Sequence, residues 1–420
     1  MNILYLEHYA SPDDWGMEHR PFRFARRWAA MGHKVVILAA SYTHLRVKNP
    51  VFAGPFLRRE IDGVTFLFVK TPAYEGNGAA RCRNIAAFLW GVWNRYDQMT
   101  GGFSPDVILL GSTYLLDVYP ALSIARRYGA RLLYELHDLW PMSVEQLGGY
   151  GKGHPIIRLL QKAEDRTIAS CEAVVSMLPG ALPHLVEHGL EPDRFFYIPN
   201  TAEIPREAPV SSPLADKLRQ WKREGHFLIG YTGALGLANA VWVLVEAAAR
   251  LKGQAVKVVL IGRGGEKPAL QRLIRQKNLV EIVQVWPPVP HEEITHLLPL
   301  FDALFIGLQK KPLFRYGISP NKLMDYMAAA RPVIFSVDCP KNPVADCGCG
   351  LVVPPEDPKK TASAIERLRH MSEEERKRMG ERGRRYMRLH HHEEHLAARY
   401  LTVLERFAPR QPGHFSEKNQ

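Results

Sequence analysis

Short apolar runs, each the length of one buried strand and each followed by a helix-patterned stretch, recur along almost the whole of this 420-residue chain. A chain that repeats strand and helix in this way is committed to parallel sheets with helices on both faces, because parallel neighbours need a crossover and the crossover helix must pack on the sheet. Residues 2–6 (NILYL), 34–39 (KVVILA), 64–69 (VTFLFV), 106–110 (DVILL), 131–135 (RLLYE), 173–177 (AVVSM) and 195–198 (FFYI) read as strands of one sheet. Amphipathic stretches such as FRFARRWAAMGH separate them. A second series then follows: FLIGYTG, VKVVLIG, EIVQVW, ALFIGL, PVIFSV and GLVVP. Between the two, TAEIPREAPVSSPLADKLRQWKREG is polar and Pro-containing and reads as a linker with one short helix.

The pattern predicts an α/β chain of two doubly wound, Rossmann-like domains, 1–200 and 226–385, joined by a linker at 201–225. A helix at 386–407 and a loose tail at 408–420 follow, and Ser372 with Glu375 three residues on marks a capping box upstream. Tandem sheets of this kind predict a cleft faced by the carboxyl ends of both, with the chemistry on strand-to-helix loops.

Composition excludes several classes. No window approaches the apolar length of a membrane span, and MNILYLEHYA meets an acid within seven residues without a basic lead, so the reading is a cytoplasmic protein with neither span nor secretory signal. Five scattered cysteines fit a reducing compartment, and Cys347-Gly-Cys349 is too short for a four-ligand zinc site. Residues 1–200 hold 21 basic and 19 acidic side chains, leaving 34 against 24 beyond them, so the net +12 lies mostly in the second half. With no helix-turn-helix, zinc-finger or RNP signature, that charge points to phosphate-bearing small ligands or an anionic membrane rather than to nucleic acid.

Three loops carry glycine or charge suited to phosphate. Gly233 and Gly236 follow FLIGYT, and Gly262-Arg-Gly-Gly-Glu-Lys267 follows VKVVLI. The second is no dinucleotide fingerprint, since Lys267 stands where a third glycine belongs, and neither is a P-loop. The third loop is SPNKLMDY, where Ser319 and Pro320 have the form of an N-cap and first helical residue. Asn321 and Lys322 then fall in the first turn, where an ammonium opposes the helix dipole unless an anion joins it. A diphosphate there receives backbone N–H groups, the dipole and Lys322 together, and Asp325, one turn on, can accept from a vicinal diol. The bland alternative has Lys322 in solvent, paired with Asp325.

Taken in order, the N-terminal sheet, ELHDLWP, IPN, YTG, IGRGGEK, SPNKLMDYMAAARPVI and GLVVPPEDP resemble the retaining, nucleotide-sugar-dependent glycosyltransferases of family 4, with the GT-B fold, over about residues 1–405. YGISPNKLMDYMAAARPVI is similar to the branch with bacterial N-acetyl-L-fucosaminyltransferases and related surface-polysaccharide enzymes. The resemblance implies a GT-B fold whose C-terminal helices pack back on the N-terminal domain, and a UDP-sugar donor, N-acetylated amino sugars included. It also implies a lipid-linked or saccharide acceptor, no metal or other cofactor, and peripheral contact with the inner face of the plasma membrane. Family members commonly carry two Glu separated by seven residues; the matching positions here are Gly317 and Asp325. The Arg and Lys that many members place after the first strand of the second domain are absent from GALGLANAVW, which moves the diphosphate to Lys322, with Arg263, Lys267 and Arg315 in reserve.

By the same resemblance His137 lies beside the donor sugar, and Gly16 is left of the glycines that admit donor phosphate or acceptor. Glu18, His19 and Arg20 are then acceptor contacts, and Asp138 is available as base, acceptor ligand or N-cap. With no carboxylate at 317, the expected retaining route is front-side displacement, in which the leaving UDP's β-phosphate takes the acceptor's proton. His390, His391, His392 and His395 read as a solvated or packing face. RPFRFARRWAAM and RCRNIAAFLWGVWNRY mix Arg with aromatics as interfacial helices do, or else place those aromatics in a core. The competing functions are a non-hydrolysing UDP-sugar 2-epimerase and a non-catalytic sugar-nucleotide-binding protein of the same fold.

Overall fold

The computed structural model describes residues 1–13, 15–16, 18–76, 78–204 and 211–409. Two compact units divide the chain: Met1–Pro199 together with the chain from Glu393, and Asn200–His392. The tail expected from 408 lies almost wholly outside the described residues, as does 205–210 of the expected linker.

In the first unit eight strands form one sheet. They are β1 (Asn2–Leu6), β2 (Lys34–Ala40), β3 (Phe56–Ile61), β4 (Val64–Val69), β5 (Val107–Leu110), β6 (Arg131–Leu136), β7 (Ala173–Ser176) and β8 (Phe195–Tyr197). Their order is β3-β4-β2-β1-β5-β6-β7-β8, parallel throughout except for β3 against β4. β3 is the one strand absent from the sequence reading. Its Arg58-Arg59-Glu60 is exposed, so it lacks the apolar run of a buried strand, yet Asp62-Gly63 between it and β4 is a two-residue hairpin turn with both residues at positive φ.

The second unit holds six parallel strands: β9 (Phe227–Thr232), β10 (Val256–Ile261), β11 (Val283–Trp286), β12 (Ala303–Gly307), β13 (Val333–Ser336) and β14 (Gly350–Val352). Their order, β11-β10-β9-β12-β13-β14, is that of a doubly wound nucleotide-binding sheet. In both units the first strand of the series lies where the strand order reverses, between β2 and β5 or between β10 and β12.

The expected linker is shorter than its composition suggested. Ser212 caps a helix over Pro213–Arg223 whose Leu214, Leu218 and Trp221 are buried in the second unit's core. The C-terminal helix also begins later than expected. Helix Glu373–His390, opened by the Ser372–Glu375 capping box, belongs to the second unit, and helix Glu393–Phe407 to the first.

Helix Glu393–Phe407 packs on helix Arg20–Ala30, where Trp28 stacks on Phe24, meets Tyr400 edge-on and donates its indole N–H to the Ala397 carbonyl at 3.1 Å. Arg26 and Arg27 bind Glu393 alongside. Phe22, Phe24 and Trp28 are thereby core residues, so the interfacial reading of RPFRFARRWAAM is corrected. The Trp28→Ala variant removes both ring contacts and the hydrogen bond. It is expected to destabilise the first unit by about 3–5 kcal/mol, measured as the urea dependence of hydrogen-exchange protection in β1 and β2.

Candidate active site

In the first unit the polar residues gather beyond the carboxyl ends of β1, β5 and β6. Glu135, the penultimate residue of β6, is fully buried and accepts from Arg20 Nε at 3.0 Å through Oε1 and from His137 Nε2 at 2.6 Å through Oε2. Arg20 spends its remaining nitrogens on the Ile198 and Pro199 carbonyls, at 2.9 and 2.8 Å. That corrects its assignment as an acceptor contact: its guanidinium is a buried clamp.

His137 Nδ1 faces Glu18 Oε1 at 3.6 Å. Burial pulls the imidazole pKa down, but Glu135, through charge and hydrogen bond, together with the charges of Glu18 and Glu7, carries it up to about 9. With its pKa raised to about 9, His137 is an imidazolium at neutral pH that donates from Nε2 to Glu135 and turns Nδ1 toward Glu18, which suits a cationic donor rather than a base. Asp138 accepts from Leu139 N at 2.9 Å and Ser143 Oγ at 2.6 Å, and it is not the N-cap of helix Met142–Gly148, a place that Pro141 holds.

Glu7 was not singled out from sequence. It follows β1 directly, is 1% exposed, and accepts from Tyr9 N at 3.0 Å through Oε1, while Oε2 has no hydrogen-bond partner among the described residues. Burial, opposed by His137 and helped by Glu18, raises its pKa to about 8, so it stands as a neutral acid at pH 7. A Cβ at Gly111, after β5, would fall 2.5 Å from that Oε2, so a glycine there leaves the carboxyl its room. The signal was available: NILYLEH puts an acid at the end of the strand where the order reverses.

Gly16 is corrected as well. Its missing side chain admits the neighbouring backbone, since a Cβ would lie 2.7 Å from the Leu45 carbonyl and the residue bridges to Arg46. His19 stands at the N-cap of helix Arg20–Ala30 without a side-chain cap bond.

In the second unit, helix Asn321–Ala328 starts one residue later than the Ser-Pro signal indicated. Pro320 is the N-cap, and Ser319 stands outside with its hydroxyl buried and unpartnered among the described residues. Asn200 secures this start, its side-chain amide donating to the Ser319 carbonyl at 2.8 Å and to Asn321 Oδ1 at 3.0 Å. The Asn200 carbonyl in turn accepts from His391 Nδ1 at 2.7 Å, so His391 is a buried structural residue while His390, His392 and His395 are exposed.

Lys322 is not in solvent and does not meet Asp325. Its ammonium donates to Tyr231 Oη at 2.9 Å and Asn239 Oδ1 at 2.6 Å, and lies 4.7 Å from the Tyr231 ring centroid. Among the described residues no carboxylate pairs with it. Burial alone lowers its pKa to about 7. A Cβ at Gly233 would fall 3.3 Å from Lys322 Cε, and Gly233 sits at φ +128°. Asp325 instead faces His291 Nε2 at 3.3 Å.

Gly262 and Gly264 serve loop packing, since Cβ atoms there would fall 1.9 Å from the Gly233 carbonyl and 2.2 Å from that of Leu235. Gly236 has no such close neighbour. Arg263 is exposed, Lys267 opens helix Lys267–Gln276, and exposed Arg315 bonds Tyr316 Oη at 2.6 Å. Gly317, at φ +104°, holds a backbone conformation that a Glu would adopt only with strain.

His137 binds its proton more tightly folded, at about 9, than unfolded, at about 6.5. Its stabilisation is therefore complete below pH 6.5 and is lost as pH rises through 9. Glu7, raised from 4.5 to about 8, slopes the same way over its own range. The urea midpoint of the first unit is expected to fall between pH 6.5 and 9, and His137→Gln to flatten that fall; an NMR titration of the His137 ring should centre near 9.

Residues 16–201 match the family described as Glycosyl transferase 4-like domain, and residues 226–370 match Glycosyl transferases group 1. Escherichia coli (strain K12) WcaI, named as a colanic acid biosynthesis glycosyl transferase, is 24% identical over 349 residues, 80% of this chain and 84% of its own. Among solved structures, sucrose-phosphate synthase of Thermosynechococcus elongatus superposes with a TM-score of 0.74 at 14% identity, covering 96% of this chain and 98% of that one. Anabaena HepE, in complex with UDP and glucose, gives 0.67 at 13% identity, with 97% and 100% covered. With both sheets in doubly wound order and both halves matched, the chain belongs to the family 4 glycosyltransferases of the GT-B fold.

Proposed function

We propose that this glycosyltransferase is a retaining enzyme that moves a sugar from a UDP-sugar to a lipid-linked saccharide in surface-polysaccharide biosynthesis, with N-acetylated amino sugars among its donors. The observation that carries the reading is Lys322, a half-buried ammonium held by two neutral oxygens at the start of a helix beside the β9 loop. A diphosphate there supplies the missing counter-charge at the positive end of the helix dipole. Asp325, on the same helix, takes the ribose diol. The UDP found with HepE and the polysaccharide role named for WcaI support donor and pathway class.

The first unit supports the rest of the mechanism. Its acids and bases near β1 and β6 are protonated (Glu7, His137) or engaged (Glu135, Asp138), which suits holding sugar hydroxyls and developing charge rather than taking a proton. In the proposed step the bond from the sugar's anomeric carbon to the β-phosphate oxygen breaks and the bond to the acceptor oxygen forms on the same face. The acceptor's proton passes to the β-phosphate oxygen, and Lys322 stabilises the departing charge.

For the acceptor, the support is a surface of the first unit. Trp90 and Trp93 on helix Ala79–Thr100 are 57% and 54% exposed, and Tyr119 on helix Val118–Tyr128 is 38% exposed. Trp93, Tyr119, Arg126, Arg127 and Arg166 line a surface cavity of about 640 Å³. Aromatic and guanidinium groups side by side suit the headgroup level of an anionic bilayer. No helix among the described residues is long and apolar enough to cross a membrane.

UDP release from a panel of UDP-sugars, with and without membrane lipid extract, tests the reaction. Acceptor-dependent release should fall roughly 10²–10³-fold in Lys322→Ala and also fall in His137→Ala. UDP binding without turnover, or sugar interconversion without acceptor, would overturn the reading in favour of a binding protein or a 2-epimerase. UDP binding at pH 8–9, above the free Lys322 value of about 7, should take up close to one proton, and Lys322→Met should abolish the uptake. Affinity for UDP should fall as pH rises above 7. Co-sedimentation with vesicles containing phosphatidylglycerol should weaken in Trp90→Ala/Trp93→Ala and with added salt.

A further inference from the structure

A second polar cluster in the first unit has no part in this reaction. Helix Leu182–Glu187 presents His184 and, at its C-cap, His188, four residues apart and so on one face. Helix Pro155–Ser170 meets them with Gln161, Glu164 and Asp165. Glu164 Oε1 lies 2.8 Å from His184 Nε2, and Asp165 Oδ1 lies 2.9 Å from His188 Nδ1. Ligand atoms of Glu164, His184 and His188 all fall within 4.8 Å of one another.

We propose that Glu164, His184 and His188 bind a divalent zinc-type metal ion that pins helix Leu182–Glu187 to helix Pro155–Ser170, with Asp165 orienting the His188 ring through its 2.9 Å contact to Nδ1. Two imidazoles and one carboxylate, with a fourth position for water, suit tetrahedral zinc. Glu164 is fully buried, and among the described residues no Lys or Arg pairs with it, whereas buried carboxylates are ordinarily paired with a cation or bound to a metal. Gln161 supplies the outer support, its amide donating to Glu164 Oε2 at 2.8 Å and to Asp165 Oδ1 at 3.0 Å, which leaves Oε1 directed at the cluster.

The side chains of His188 and Asp165, 26% and 53% exposed, provide the entry path, and those of His184 and Glu164, 5% and 0% exposed, the anchor. Ligand atoms around tetrahedral zinc stand about 3.4 Å apart, so the 2.8 Å Glu164–His184 pair opens by roughly half an ångström, and His188, within 4.8 Å of both, completes the set. The helix so pinned follows β7, whose Ser176 pairs with Leu136 immediately before His137. The ion would steady the loop beside that residue.

The test uses the full chain without an affinity tag, stripped by a chelator and then titrated with zinc by calorimetry and with cobalt by visible absorption. One equivalent should bind, with the d–d bands of a tetrahedral cobalt centre and a Tm rise of roughly 5–10 °C at a hundredfold excess over the dissociation constant. His188→Ala, at a half-buried position that keeps the fold, and His184→Gln should each weaken binding at least tenfold and abolish the bands. His390→Ala/His392→Ala should change neither. Absence of saturable uptake by the folded wild type would overturn the proposal. So would binding that survives both His184→Gln and His188→Ala, or binding that is lost in His390→Ala/His392→Ala.

Discussion

A strand with parallel neighbours on both sides and helices over both faces leaves no room for a polar side chain until it ends. β1 and β9 are such strands, buried along nearly their whole length. Each lies where the order of its sheet reverses, so the connections after it and after its later neighbour leave in opposite directions and do not cover the strand ends. Glu7 and His8 stand at one of these ends and Gly233 at the other. Strand order, more than any single contact, fixes where chemistry can be housed.

The two units use that position in opposite electrical senses. In the first, Glu135 is an anion with no exposure, and Arg20 and His137 hold it from two sides. Removing either partner from such a pair costs about 3–5 kcal/mol because it strands a buried charge. The same anion keeps His137 protonated, so one buried carboxylate determines both the packing and the charge of the donor beside it. Among the described residues of the second unit no acid plays that part for Lys322, and burial alone lowers its pKa. The proton is thus held tightly at His137, where carboxylates face it, and loosely at Lys322, where among the described residues none pairs with it.

Much of this was legible in the sequence, for identifiable reasons. Thirteen of fourteen strands carry an apolar run that only a sheet interior accounts for, and β3 does not, because one flank of an edge hairpin is solvated. There the turn residues Asp62-Gly63 were the better signal. His137 and Lys322 were legible because a charge at a strand end or in a helix's first turn needs a reason. Arg20, Gly16, Gly262 and Gly264 misled because residue type does not reveal what lies opposite: an arginine suited to a substrate is equally suited to buried carbonyls, and a glycine that could admit a phosphate could equally admit another loop. Glu7 was passed over because a carboxylate is read by its usual charge, whereas full burial makes this one an acid that keeps its proton.

Gly317 connects these points. Where the family resemblance implies a carboxylate, this chain has a backbone at φ +104°, so the departure is built into the main chain and is not a simple exchange of side chains. Among the described residues no carboxylate pairs with Lys322, and its ammonium donates to a phenol and an amide oxygen. Coulomb interaction in a site closed to water is several-fold stronger than at a wet surface. Under the proposed function a diphosphate at this helix start raises the Lys322 pKa from about 7, so that proton and nucleotide bind together.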